Sequence, residues 1–307
     1  MLENVFKERR GEREPSAPSA PARRSFPALA ALIVPLPLLL LVLLITYLFG
    51  WISLDRREPF ELLEETRAAS GERRALVAFE LSRLESLDLP GPERQRFVQA
   101  VSNLLQSEAG GDPRVRRALT LVLGRIGDPS SLPALISAAE DADVDTRIYA
   151  LWALGAARRP EALAPLVAHL QDDDATARKT AAFALGELAD PRANASLQVA
   201  LRDPIQDVQW NAAISLARLG DEAGIPVLLP LLSGYLPGQD LSPAQAEELR
   251  INVVRSLRGL RSSAVKTALE KAAGSDPSGR VRTEARLALA NRPPTPFTTA
   301  PDVASPR

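Results

Sequence analysis

The feature that most constrains the fold is a pattern that repeats along most of the chain. Seven copies of it begin, in chain order, at Arg73, Val115, Thr146, Ala177, Val208, Leu249 and Val281. The four central copies, from Val115 to Val208, are separated by 31 residues each. A fixed period in this range is typical of a solenoid, in which each unit buries its apolar face against its neighbours.

Each copy predicts an amphipathic helix. We number each copy from its first residue as position 0. Positions 0, 4, 7, 8 and 11 then fall on one stripe of a helix with 3.6 residues per turn, and in the central copies they are mainly apolar or small. A shorter apolar segment, such as 131–140 or 161–170, precedes the next copy, and Asp-Pro turns separate the two. We therefore predict an all-α fold, an α-solenoid of about seven helical hairpins over residues 59–291. The predicted hairpins are 59–88, 92–126, 130–157, 160–189, 193–219, 222–260 and 262–291.

Composition excludes several functional classes. Thirty-seven Lys and Arg against 38 Asp and Glu give a net charge of -1, which argues against a protein that holds nucleic acid by a basic surface. The chain has no Cys and one His, so thiol nucleophiles, Cys-ligated zinc and His-cluster metal sites are ruled out. Asp141, Asp143 and Asp145 resemble the opening of an EF-hand loop, but Thr146 and Trp152 stand where Gly and Glu are needed. We predict no enzyme activity, cofactor, metal or small-molecule substrate, and we interpret His169 as structural.

An uncharged run of 30 residues, Ser25 to Leu54, precedes the repeats. As a helix, residues 28–52 would be about 37 Å long, enough to cross a hydrocarbon core of about 30 Å, so we predict a transmembrane helix over 27–54. A cleaved signal peptide is the alternative, but the run is too long for one. Six flanking Lys and Arg before the run against three after it favour an N-terminus inside a bacterial inner membrane, with the solenoid outside the cytoplasm. The Pro-rich tails 1–26 and 292–307 are expected to be disordered.

Short motifs within the repeats resemble a known family. These are Val115-Arg116 and Val281-Arg282, the Ala-Leu-Gly of 153–155 and 184–186, and the Asp run of 172–174. They are similar to the HEAT-like repeats of the phycobilisome-lyase type, well over 112–291 and loosely over 59–108. The resemblance implies that the second helix of each hairpin lines the concave face and that the protein is a scaffold. The pattern is broken where Gln209 replaces the Arg and where Ala217 and Arg258 replace the Gly.

The concave face implied by this resemblance carries the main candidate site. Positions 2, 3, 6 and 10 of each copy lie opposite the buried stripe, yet in four consecutive copies they include large apolar side chains. Exposed apolar and aromatic surface is typical of a partner-binding site. The predicted contacts are Leu121, Tyr149, Trp152, Phe183, Trp210 and Ile214, with Tyr235 in an extra loop over 233–243. The alternative is that these side chains pack against the adjacent helix, and that the extra loop has no role.

An Arg occupies position 1 in six of the seven copies. One hypothesis is a groove for an anionic ligand. The favoured one is a ladder in which each Arg binds an Asp or a carbonyl in a neighbouring turn, because position 1 borders the buried stripe. The expected acidic partners are Asp112, Asp143 and Asp174.

Together these features predict a membrane-anchored HEAT-repeat scaffold whose concave face binds a protein partner, itself associated with the membrane. Two alternatives stay open. One is an accessory subunit of a respiratory or transport complex, with the transmembrane helix packed inside the complex. The other, which rests on the family resemblance, is a subunit similar to a bilin lyase.

Overall fold

The computed structural model describes residues 39, 41–44, 58–84, 87, 89–234 and 241–290. The chain divides into two compact units, Met1–Arg57 and Glu58–Arg307. In the first, residues 39 and 41–44 are helical and exposed. No helix within the described residues is both long and apolar enough to cross a membrane. Nearly all of the predicted transmembrane helix 27–54, both predicted tails and Tyr235 lie outside the described residues.

The second unit is a stack of seven helical pairs, and its described residues contain no strand. In chain order the helices are α1 (Pro59–Ala68), α2 (Gly71–Arg83), α3 (Gly91–Ser107), α4 (Pro113–Ile126), α5 (Leu132–Ala139), α6 (Val144–Ala157), α7 (Leu163–Ala168), α8 (Ala175–Leu188), α9 (Asn194–Ala200), α10 (Gln206–Arg218), α11 (Ile225–Leu232), α12 (Pro243–Leu257), α13 (Ser263–Ser275) and α14 (Gly279–Ala290). Each odd-numbered helix pairs with the even-numbered helix that follows it. The solenoid of helical hairpins predicted from the repeat is therefore confirmed.

Short polar side chains set where the helices begin and end. Asp128 accepts a hydrogen bond of 2.9 Å from the amide of Ser130 and so starts the 3₁₀ turn that leads into α5. Asp143 caps α6 by accepting from the amide of Thr146, also at 2.9 Å. Gly127 ends α4 in the left-handed region with φ of 63°, a conformation that glycine adopts without strain. Asp190 and Asp221 repeat the role of Asp128, and Arg158 and Ala189 adopt the same left-handed conformation as Gly127, so these hairpins close at equivalent places.

The even-numbered helices pack unusually close together because small residues face each other. A Cβ added to Gly155 on α6 would lie 2.7 Å from the Cα and Cβ of Ala184 on α8. A Cβ on Gly124 of α4 would lie 2.8 Å from the Cβ of Ala153 on α6. Only glycine permits these approaches, which accounts for the Ala-Leu-Gly motif.

The buried core divides into two clusters along α10. Val208, Ala212 and Leu216 of this helix belong to a core that extends back to Leu62. The opposite side of α10, including Trp210, packs with α11 to α14. In the sequence, this division falls one hairpin before the connection 233–242 between α11 and α12, which contains most of the predicted extra loop.

Candidate functional site

The even-numbered helices lie side by side, and their inner faces form a groove. Each of α4, α6, α8 and α10 contacts the next even-numbered helix. A cavity of about 740 Å³ runs across α4, α6, α8, α10 and α12. It contains all of the described residues predicted as partner contacts, namely Leu121, Tyr149, Trp152, Phe183, Trp210 and Ile214. Only Tyr235 of the predicted set lies outside the described residues.

The predicted residues sit at different depths in this groove. Tyr149 and Trp152 are 38% and 39% exposed, and Phe183 is half-buried. The expectation that Trp210 and Ile214 lie on the surface is wrong, because each is only 7% exposed and packs into the second core. The physical reason is the approach of α12, whose Leu249 lines the same cavity and packs against that core. Trp210 and Ile214 therefore form the floor of the groove, whereas the other aromatic side chains form its accessible wall.

The charged residues in the groove are paired with one another. Lys179 Nζ lies 3.4 Å from an Asp207 carboxylate oxygen. Glu248 binds Arg280 at 3.2 Å. The remaining polar lining consists of hydroxyl and amide side chains, namely Thr180, Asn211, Gln245 and Asn252. The groove therefore offers aromatic faces and neutral hydrogen-bonding groups, and its charged residues are already neutralised.

The groove continues onto α2, which the sequence interpretation did not include. A neighbouring cavity of about 330 Å³ shares Leu121 and Tyr149 with the first and adds Leu76 and Phe79. Both added side chains are 55% exposed. They occupy positions 3 and 6 of the copy that begins at Arg73, the positions of Tyr149 and Trp152 in their own copy. Applying the same helical positions to the copy that begins at Arg73 would have identified both residues.

The arginines at position 1 form a ladder along the turns. Arg147 binds both carboxylate oxygens of Asp172 at 3.0 Å and donates to the carbonyl oxygen of Asp141 at 2.9 Å. Arg178 repeats this arrangement one hairpin later, with Asp203 at 2.8 and 3.2 Å and the Asp172 carbonyl at 2.8 Å. Each guanidinium thus joins two successive turns. Since these groups are already occupied, the structure does not support a groove for an anionic ligand.

The acidic partners in this ladder differ from the predicted ones. Arg116, Arg147 and Arg178 pair with an Asp 25 residues ahead, in the series Asp141, Asp172 and Asp203. The expected residues Asp112, Asp143 and Asp174 instead cap the helices that follow them. Capping does not keep Asp143 from the preceding hairpin, because its oxygens also bind Arg117 there. What differs is that the position 1 arginine meets the Asp two residues before the cap, which in turn accepts from the amide of the capping residue.

Burial and hydrogen bonding oppose each other at these carboxylates. Burial raises the pKa of Asp172, but hydrogen bonds from Arg147, the amide of Asp174 and His169 outweigh it and lower the pKa overall. The pKa of Asp203 is lowered in the same way, against burial, by Arg178 and the amide of Ile205. Both groups are therefore held ionised by the ladder.

The single histidine belongs to this structural network. His169 is buried, and its Nδ1 lies 3.1 Å from an Asp172 oxygen. Among the described residues no group of His, Asp and Glu side chains is arranged to hold a metal ion. Asp141, Asp143 and Asp145 are all bound by arginines, Arg116 for the first and Arg117 for the other two.

A stack of helical hairpins with an inner groove of this kind is an α-solenoid. The family model described as HEAT repeats matches residues 98–182 and 165–234, so this part of the chain consists of HEAT repeats. No curated protein matches the chain significantly.

Two solved structures share the fold. One is a chain from the complex of CpcE and CpcF of phycocyanin lyase from a Nostoc species. The alignment covers 77% of this chain and 96% of that chain, with 19% identity and a TM-score of 0.50. The protein YIBA of E. coli matches 76% of this chain and 81% of its own, with 16% identity and a TM-score of 0.51. The resemblance to the phycobilisome-lyase type of repeat is thus confirmed at the level of fold.

Proposed function

We propose that this chain is a non-enzymatic scaffold that holds a protein partner in the groove on its concave face. The observation that carries the proposal is the continuous aromatic wall formed by Tyr149, Trp152 and Phe183 beside Leu76 and Phe79. Aromatic side chains are favoured anchors in protein interfaces, and monomeric proteins rarely expose them in contiguous rows. The likeness to a lyase subunit is one of fold, so we propose no bilin chemistry.

We propose further that residues 28–52 anchor the scaffold in a bacterial inner membrane, with the solenoid outside the cytoplasm. The support is the uncharged run from Ser25 to Leu54 and the flanking Lys and Arg. The solenoid begins at Pro59, close behind this run, so the groove would be held near the membrane surface. Tethering raises the effective concentration for a partner that is itself in the membrane.

Photo-crosslinking in native membranes tests the groove. A crosslinker placed at Trp152 should capture a specific partner, whereas the same group at Ser137, exposed on α5, should not. Equal capture at both positions, or none at 152, would refute partner binding in the groove.

A substitution test complements it. Replacing Trp152 and Phe183 together by Ala should weaken partner binding by at least about thirty-fold, since even one anchor of this kind contributes about 2 kcal/mol. The matched control is Val199→Ala, because Val199 is 61% exposed but lies on α9, away from the groove. Far-UV circular dichroism should show unchanged helicity in both variants. Loss of helicity in the double variant would show that the two rings act as core.

A further inference from the structure

The lining of the groove favours one kind of occupant. Its charged residues are already paired, as Lys179 is with Asp207 and Glu248 with Arg280. The Thr180 hydroxyl and the Asn211 amide already donate to the carbonyl oxygens of Thr176 and Asp207, so what remains for a ligand is mainly a row of aromatic faces. Aromatic-lined grooves recognise proline-rich segments in the polyproline II conformation, whose backbone makes no internal hydrogen bonds and is therefore available to side-chain amides. An uncharged, proline-rich segment fits this lining better than a charged one.

The chain carries such a segment directly after its last helix. Residues 293–301 read PPTPFTTAP, with a P-x-x-P motif from Pro293 to Pro296, an aromatic residue at Phe297 and no charge. The helix that leads into this segment, α14, packs beside α12, which contributes Leu249 and Asn252 to the groove. The segment therefore starts next to one end of the groove that its composition suits.

The reach of the segment is sufficient. In polyproline II geometry the seven residues from Ala290 to Phe297 span about 22 Å. Neighbouring helix axes lie about 8–10 Å apart, so two helix spacings, from α14 past α12 to α10, amount to about 16–20 Å. Phe297 can thus reach α10, where Trp210 forms the floor of the groove. Pro301, about 34 Å along the same extended chain, can reach Phe183 on α8, three helix spacings away.

We propose that residues 293–301 fold back into the groove of their own chain, with Phe297 over the floor at Trp210 and the residues after it towards Phe183, so that a partner must displace this segment to bind. The proposal rests on the groove being the docking surface of the proposed scaffold. A second P-x-x-P series, Pro15 to Pro21, lies before the apolar run and serves as a comparison, because the proposed membrane crossing would keep it away from the groove.

Crosslinking from the segment itself is the direct test. A photo-crosslinking phenylalanine analogue at position 297 of the full chain should give adducts within one chain, mapped by mass spectrometry to peptides that line the groove. Replacing Pro293, Pro294 and Pro296 by Ala should reduce these adducts about ten-fold. The proline variant is itself the control, because it keeps the crosslinker, the tether length and the groove unchanged. Adducts between two chains, adducts outside the groove, or a yield unchanged by the three Pro→Ala substitutions would each overturn the proposal.

A second measurement separates this proposal from the scaffold function. If the segment competes with the partner, Phe297→Ala should increase partner capture by the crosslinker at Trp152 several-fold. An unchanged yield at Trp152 would reject the fold-back while leaving the scaffold function intact. A third outcome is groove adducts from position 297 with no partner captured at Trp152, either in the parent chain or in the Phe297→Ala variant. This would reject the scaffold function but support the fold-back of residues 293–301.

Discussion

The close approach of α6 and α8 makes a sharp prediction about Gly155. A Cβ at this position would lie 2.7 Å from two Ala184 carbon atoms and 2.8 Å from its carbonyl oxygen. Carbon atoms pack best at about 3.5–4.0 Å, so the overlap approaches an ångström. Because backbone atoms of Ala184 are among those contacted, a side-chain rotation cannot relieve it and the two helices must separate. Such overpacking costs about 1–3 kcal/mol.

The same substitution also changes helix propensity, and this term has the opposite sign. Ala is favoured over Gly inside a helix by about 1 kcal/mol. We therefore expect Gly155→Ala to lower the free energy of unfolding by up to about 2 kcal/mol. Urea unfolding followed by far-UV circular dichroism measures it.

A matched control isolates the steric term. Gly274 lies on α13, and a Cβ added there meets no atom within 4 Å. Gly274→Ala should therefore raise the free energy of unfolding by about 0.5 kcal/mol, the low end of the usual gain because the site is near the helix end. If Gly155→Ala stabilises the protein as much as Gly274→Ala does, the reasoning about the α6–α8 contact is refuted.

Two further predictions concern the arginine ladder. Arg147→Met removes the guanidinium that bridges Asp172 and the Asp141 carbonyl and leaves the buried Asp172 without its cationic partner, so the free energy of unfolding should fall by about 3 kcal/mol. Arg192→Met, at an exposed pair with Asp190, should change it little. The pKa of Asp172 is lowered in the folded state. The ionised carboxylate therefore contributes fully to the free energy of unfolding above the ordinary carboxylate pKa of about 4, and this contribution is lost as the pH falls through the lower pKa of the folded state. The stability difference between the wild type and Arg147→Met should therefore shrink below about pH 4; a constant difference would contradict the ion-pair explanation.

Most of the fold could be predicted because the repeat encodes it redundantly. The buried stripe, the Asp-Pro turns and the glycine of the Ala-Leu-Gly motif each recur at the same offset, so one copy confirms the next. What the repeat could not specify was which of several nearby Asp residues faces which hairpin. Asp141 and Asp143 are two residues apart in one turn, and only the backbone geometry of that turn decides that Asp143 caps α6 while Asp141 meets Arg116. Sequence spacing alone treats them as equivalent.

The sequence predicted which residues line the groove, but not how deeply each of them is buried. Helical periodicity places Trp152 and Trp210 on the same face, since they occupy positions 6 and 2 of their copies, which are one helical turn apart. Their exposure differs because it depends on the next hairpin, and the hairpin after α10 is the one with the long connection 233–242. Periodicity describes a single helix, whereas burial depends on its neighbours.

The ladder is interrupted on the helix that carries the floor of the groove. Gln209 stands where an Arg is expected and keeps the bond to the Asp203 carbonyl, at 2.6 Å, but a neutral amide cannot form the onward ion pair. The position 25 residues further on is Gly234, which has no carboxylate. Beside this interruption Trp210 and Ile214 pack into the second core. Because these two residues join the two halves of the solenoid, replacing them would confound binding with folding. The partner test consequently belongs on Trp152 and Phe183, whose rings are at the accessible wall of the groove.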